Sequence, residues 1–355
     1  MEFRTGILMA FVLVASMLFI PVGSAEAADY SSELFYIDQL EENEVLVYKS
    51  VSKATSVDSQ SKEFSVDLIG SRLFETESRA KEYADQVVQN ALSAAYLSNA
   101  MIPYLWDYPV KSVAVDTSVA IVKITKAGVE TTSFMADKVT FTLSVPEGIT
   151  AESMKELNDA IKNISVTGKT DADKVKSMMS TLDKMSYSQD EEGTISNIYD
   201  ALVTKSTTSA GIAQALLKLC QDNNIPCIIV AGENLLASKE PKNLWNYVYL
   251  EGDVDGETTF AWYLVDASYA TSTGISGYLT EVTYDGKTCS MLSVHNVDLT
   301  LSAENDLVVP QLAMNKYVPV GGLPFLELHG EKILIGVIGV VLVLAFIYAI
   351  RNGKI

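Results

Sequence analysis

Cysteine and histidine are scarce. The 355 residues hold three cysteines, Cys220, Cys227 and Cys289, and two histidines, His295 and His329. Three thiols exclude a disulfide scaffold. One bridge stays open in an oxidising exterior, and otherwise Cys220 and Cys227 read as small buried apolar side chains. Neither histidine has another good ligand beside it in sequence, and no zinc spacing or calcium loop occurs, so no metal or cofactor is expected. Positive charge is also short: 26 Lys and Arg stand against 45 Asp and Glu, for a formal net charge of −19. No basic cluster exists outside one terminal flank, which excludes the phosphate contacts that nucleic-acid binding needs. Internal repeats and low-complexity tracts are lacking as well.

What is present at the two ends predicts export. Arg4 precedes an apolar run over 7–22, and Ser24-Ala25-Glu26-Ala27 offers small residues at Ala25 and Ala27. This pattern predicts a signal peptide over 1–27, cleaved near Ala27; the alternative is an uncleaved N-terminal anchor. The opposite end carries an uncharged run over 333–350, between Lys332 and the pair Arg351 and Lys354. Its length suits a transmembrane helix over 332–350, and its lack of a polar face argues against a buried core helix. Basic residues favour the cytoplasmic side, which places the tail 351–355 inside and the body outside a cell membrane. Gly336 and Gly339 are too close for a GxxxG pairing face.

The roughly 300 residues between suffice for two cores. Alternation predicts strands over 63–69, 113–124 and 138–145, with Ala127-Gly128 at the turn. Ala80, Tyr83, Ala84, Val87, Val88, Ala91 and Ala95 mark a helix over 75–98. These make a small N-terminal α+β domain over 28–148. Helices follow over 150–163, 170–185 and 209–220, then strands over 225–231, 244–251 and 261–267, with a hairpin over 278–297 turning at Asp285-Gly286. Residues 299–331, with Pro310, Pro319, Gly321, Gly322 and Pro324, read as an irregular stalk. Asn163-Ile164-Ser165 fits an N-glycosylation acceptor.

Five fragments then stand in a telling order. They are Asp171 to Tyr187 with Ile198-Tyr199-Asp200-Ala201-Leu202-Val203; Ser209-Ala210-Gly211-Ile212-Ala213; Asn224-Ile225-Pro226 to Gly232; Asn243-Leu244-Trp245-Asn246-Tyr247-Val248; and Trp262-Tyr263-Leu264-Val265-Asp266. Over 171–270 the chain resembles the transglutaminase-like family in its secreted, membrane-anchored prokaryotic form. The resemblance implies a papain-like α+β core over 149–298. The third to fifth fragments are similar to the family's Gly-Ile-Pro strand, His-Ala-Trp-Asn-x-Val and Trp-Tyr-x-Val-Asp, and the second to its Cys-x-Gly-Tyr-Ala.

The family's chemistry implies a cysteine thiolate at a helix N-terminus, a histidine that moves the proton and an aspartate that orients it. At those positions stand Ser209, Asn243 and Asp266. A serine hydroxyl is a poor nucleophile without a base, and an amide accepts no proton at neutral pH. Asp266 is thereby left with no histidine to orient. Cys220, eleven residues beyond Ser209 and so about 16 Å along a helix, reads as core. His295 lies where the family supplies no catalytic group. Ser209 reads first as a helix N-cap, with Thr207 and Thr208 as equal candidates. Trp245, Trp262 and Tyr263 read as packing residues by default and as candidates to line a remnant groove. The expectation is a disarmed module at the cell surface that holds a peptide or surface ligand; the alternative is an amide-bond enzyme with an altered residue set.

Overall fold

The computed structural model describes residues 35–70, 72–109, 111–187, 196–234, 243–254, 257–268, 281–284, 287–290, 294–313 and 317–318. The expected signal peptide, transmembrane helix and cytoplasmic tail lie outside these. No helix among the described residues is long and apolar enough to cross a membrane.

Among the described residues a short 3-10 turn (Tyr36–Gln39) precedes helix α1 (Glu42–Val51), which is capped reciprocally by Glu41 and Glu44. Strand β1 (Ser61–Asp67) follows, then the long helix α2 (Glu77–Ser98), where Thr76 accepts the Arg79 N–H. Ala80, Ala84, Val87, Val88, Ala91 and Ala95 of α2 are all buried, the helical repeat that its sequence shows. Strands β2 (Val115–Lys126) and β3 (Val129–Ser144) form a hairpin whose turn residues Ala127 and Gly128 both have positive φ, 53° and 79°. Two positive φ values at a two-residue loop match the right-handed twist of the strands it joins. The sheet order is β1-β3-β2. Strand β3 starts nine residues before its expected beginning, at Val129 and not at Lys138. Its early residues Glu130, Thr131 and Thr132 are exposed, so no apolar alternation marks them.

Helices α3 (Ala151–Lys162) and α4 (Asp171–Leu182) each begin at a threonine cap, Thr150 with Ser153 and Thr170 with Asp173. A two-residue strand β4 (Ser186–Tyr187) runs parallel to β5 (Ser206–Thr207). Between them Asp200–Thr204 makes a π-type turn that ends at Lys205, φ 64°. Helix α5 (Ser209–Asp222) leads to β6 (Cys227–Asn234), β7 (Asn243–Val254) and β8 (Glu257–Val265). A short hairpin, β9 (Glu281–Tyr284) and β10 (Lys287–Ser290), precedes β11 (His295–Val297). The second sheet has the order β11-β6-β7-β8, antiparallel throughout.

Helix α5 is tied to this sheet by Asn246 of β7, whose Nδ2 donates to the Ala213 carbonyl at 3.0 Å. Tyr36, ahead of α1, is buried and donates to the Ile229 carbonyl of β6 at 2.9 Å. One apolar cluster runs from Tyr36 and α2 through α4 and α5 into β6–β8. Residues 299–313 are irregular but packed: Leu299 and Leu307 are buried, and Ala313 N donates to Trp262 O at 2.9 Å. Together these contacts make the chain a mixed α/β protein, with α5 and the four-stranded sheet framing its most polar interior.

Candidate functional site

The register of the second sheet brings four polar residues to one end. Asn234 closes β6, Asn243 opens β7 opposite Gly232, Asp266 follows Val265 at the close of β8, and His295 opens β11 opposite Asn234. Antiparallel neighbours put the end of one strand beside the start of the next, so residues distant in sequence meet at one edge.

Asp266 is the centre of this group. His295 Nε2 lies 3.0 Å from Asp266 Oδ2, and Asn234 Nδ2 donates to the same oxygen at 3.0 Å. Ser268 donates to Oδ1 at 2.5 Å. A carboxylate only accepts, and the donors that Asn234 and Ser268 bring, with the imidazole beside them, are what a buried one needs. Asn234 Nδ2 also lies 3.3 Å from His295 Nε2, an approach that follows from both atoms reaching one carboxylate oxygen. The His295 and Asp266 side chains are each 1% exposed. The Trp245 ring stands edge-on to the imidazole, with centroids 4.7 Å apart. Gly232 makes this close layer possible: a Cβ there would meet Asn296 O at 2.0 Å and Trp245 Cη2 at 2.8 Å.

The expectation that Asp266 has no histidine to orient is therefore corrected. The partner is His295, placed by β11 and not by the strand where the family keeps its histidine. Nothing in the sequence singles out Asn234 or Ser268. Asn234 has no signal beyond its place after Gly232, and its role exists only because β11 pairs there. His295 carried one signal, as one of just two histidines in the chain.

Ser209 is the first residue of α5 and is 1% exposed. It is not the N-cap: Thr208 occupies that position. Ser209 Oγ accepts the Leu244 N–H at 3.1 Å, which sets it beside the Asn243–Leu244 peptide. Asn243 itself is 3% exposed. The approach to α5 is crowded by hydroxyls, with Ser196 Oγ 2.8 Å from both Thr207 Oγ1 and Thr208 Oγ1 and accepting the Thr208 N–H at 2.7 Å.

Trp245, Trp262 and Tyr263 are buried, at 1%, 2% and 1% exposure. Trp262 packs between Phe35 and Tyr249, with centroids at 5.6 and 5.2 Å, and Tyr263 stands against Tyr317 at 5.0 Å. Trp262 and Tyr263 are consecutive on β8 and so face opposite sides of the sheet. Packing is what these rings do among the described residues.

Cys220 and Cys227 are free and buried. Burial pushes the Cys227 thiol well up, so it stays protonated and is no substitute nucleophile. Its sulfur accepts from Asn246 Nδ2 at 3.6 Å. No group of metal-ligating side chains occurs among the described residues.

No protein-family model matches the sequence. No curated protein matches it. Among solved structures the chain is similar to a TGase, at 12% identity and a TM-score of 0.27, over 59% of this chain and 52% of that one, about half its length. It is also similar to a candidate cysteine protease from Cytophaga hutchinsonii, at 9% identity and a TM-score of 0.27, over 59% and 83% of the two chains. A candidate protease from Parabacteroides distasonis follows at 13% identity and a TM-score of 0.20, over 44% and 41%. Likenesses this distant carry no argument about mechanism, which rests on the geometry above.

Proposed function

We propose that the chain is a transglutaminase-like module, anchored at a cell surface by its apolar run over 333–350, that binds a peptide or surface ligand without turning it over. The observation that carries this reading is the state of Ser209. It stands where the resembled family has its cysteine, it is 1% exposed, and its oxygen accepts a backbone N–H from Leu244. The neighbouring Asn243 brings an amide where the family has a base. A buried hydroxyl already bonded to the backbone, beside a group that takes no proton, suits a structural clasp better than a nucleophile.

One observation favours a second reading. His295 and Asp266 form a base-and-orienter pair at 3.0 Å on the same sheet edge. In an enzyme of altered residue set, His295 would take the proton from Ser209 and Asp266 would hold the imidazole.

One assay separates the two: ammonia release and amine incorporation on glutamine peptides by the full chain in detergent. It is run beside Ser209→Ala, His295→Ala, and Ser209→Cys with Asn243→His. The binding reading expects no turnover by wild type, and a gain in the double variant. Turnover by wild type that both single variants abolish would replace it with the enzyme reading.

A further inference from the structure

We propose that the outer edge of β2, unpaired among the described residues, is a self-recognition surface on which two copies of this chain join their three-stranded sheets into one of six strands. In the order β1-β3-β2, β2 is terminal, and no other described strand pairs with it. Its apolar residues Ile121 and Ile124 are 67% and 38% exposed.

The backbone of Phe134 fixes which groups of β2 point outward. Phe134 of β3 gives its N–H to Phe74 O at 2.9 Å and takes the Phe74 N–H at 2.8 Å. Both its backbone groups therefore face away from β2, although it is the register partner of Ile121. The Ile121 and Phe134 pair is then of the non-hydrogen-bonded type, and the Ile121 N–H and C=O point out of the sheet. Alternation extends this to Val119, Lys123 and Thr125.

Of the antiparallel registers that bond these groups, the one centred on Ile121 is selected by charge, because it sets Asp116 against Lys126. A two-fold axis there sets Ile121 against its own copy, Val119 against Lys123, Ala120 against Val122, and Thr117 against Thr125. It also sets Asp116 against Lys126, twice. The pairing is isologous, as a two-fold demands. It is charge-complementary at both ends and apolar at the centre. Lys123 brings no unpaired charge, since its Nζ is held by Glu130 Oε1 at 2.9 Å within the same hairpin. Edge lysines ordinarily repel stray strands. An unrelated strand meets Lys126 unmatched, whereas a second copy meets it with Asp116, which is how one surface both excludes and selects.

The test is oxidative crosslinking of the full chain in the membranes of expressing cells. The parent carries Cys289→Ser and keeps the buried Cys220 and Cys227. Ile121→Cys is expected to form a disulfide dimer, because it faces itself across the axis within disulfide range. Thr125→Cys, four residues from the axis, sits about 26 Å from its symmetry mate and is expected not to crosslink. Asp116→Lys is expected to lower the Ile121→Cys yield about tenfold, by setting like charges opposite at both ends. Adding Lys126→Asp is expected to restore it. The four substituted positions, Asp116, Ile121, Thr125 and Lys126, are all exposed on the strand, so the variants keep the fold. A monomer in every case, equal crosslinking at 121 and 125, or a yield indifferent to charge reversal would overturn the proposal.

Discussion

At the scale of single residues, the beginning of α5 shows how closely position and side chain are matched. Gly211 is helical with ordinary φ, so its value is space and not conformational freedom. A Cβ there would lie 2.2 Å from Thr207 Oγ1 and 2.5 Å from Asn197 O. The carbonyl belongs to a buried backbone and has nowhere to go. Gly211→Ala is therefore expected to destabilise by about 1–3 kcal/mol through overpacking, despite the better helix propensity of alanine. Urea unfolding should show a lower midpoint at unchanged slope. A neutral or higher midpoint would mean that the β5 approach to α5 is looser than its hydroxyl contacts suggest. The glycine was legible as part of a motif, but its reason was not. Thr207 and Asn197 come near only after the β4 and β5 pairing has folded the chain back. The same holds for His295, which a strand 29 residues beyond Asp266 delivers to the carboxylate.

At the scale of elements, what was legible is what a local pattern encodes. The helices that open at Thr150 and Thr170, the buried stripe of α2, the turn at Ala127-Gly128 and the apolar strand β6 all follow from spacing and residue type. What was not legible depends on pairing partners: the early start of β3, the order β11-β6-β7-β8, and the docking of α5. That docking rests on Asn246. Its Nδ2 faces three acceptors: Ala213 O at 3.0 Å, Ile228 O at 3.4 Å and Cys227 Sγ at 3.6 Å. Asn246→Asp removes the donor and aims a carboxylate at those acceptors in a site 1% exposed. Burial and electronegative neighbours both disfavour the charged form, so the folded carboxyl would titrate above its unfolded value. Stability of the variant is then greatest below the unfolded pKa and falls as pH rises through the folded one. The expected loss at neutral pH is about 3–5 kcal/mol, shrinking in mild acid. A thermal melt series from pH 4 to 8 reads this directly, and a variant that gains stability with pH would contradict the docking geometry.

At the scale of the whole molecule, the segments before and after the two sheets are bound into them by polar contacts that span the sequence. Gln39 and Val308 exchange two hydrogen bonds, at 2.9 and 2.8 Å. Glu44 Oε1 accepts from Asn90 Nδ2 at 2.7 Å, and the same nitrogen donates to Asp306 Oδ2 at 3.2 Å. One network thus joins α1, α2 and the irregular chain over 299–313. Burial raises the Glu44 carboxyl above its ordinary value; Asn90 and the Glu41 N–H oppose the shift, and the charges of Glu41 and Asp306 add to it. A carboxyl raised on folding binds its proton more tightly in the native state. Its favourable contribution is therefore complete below the unfolded value of about 4.5 and is lost as pH rises to the higher folded value, beyond which it is level. This is the reverse of a salt-bridged carboxylate. Glu44→Gln keeps the shape and removes the titration, so the difference in unfolding free energy, wild type minus variant, should fall across that window and then flatten. Because the network crosses the molecule and one core unites it, the shift should appear in a single cooperative transition by both fluorescence and circular dichroism. A difference that rises with pH would show the Glu44 carboxylate to be stabilised by its neighbours more than burial penalises it. Two separate transitions would show that the 299–313 segment melts apart from the body it is bonded to.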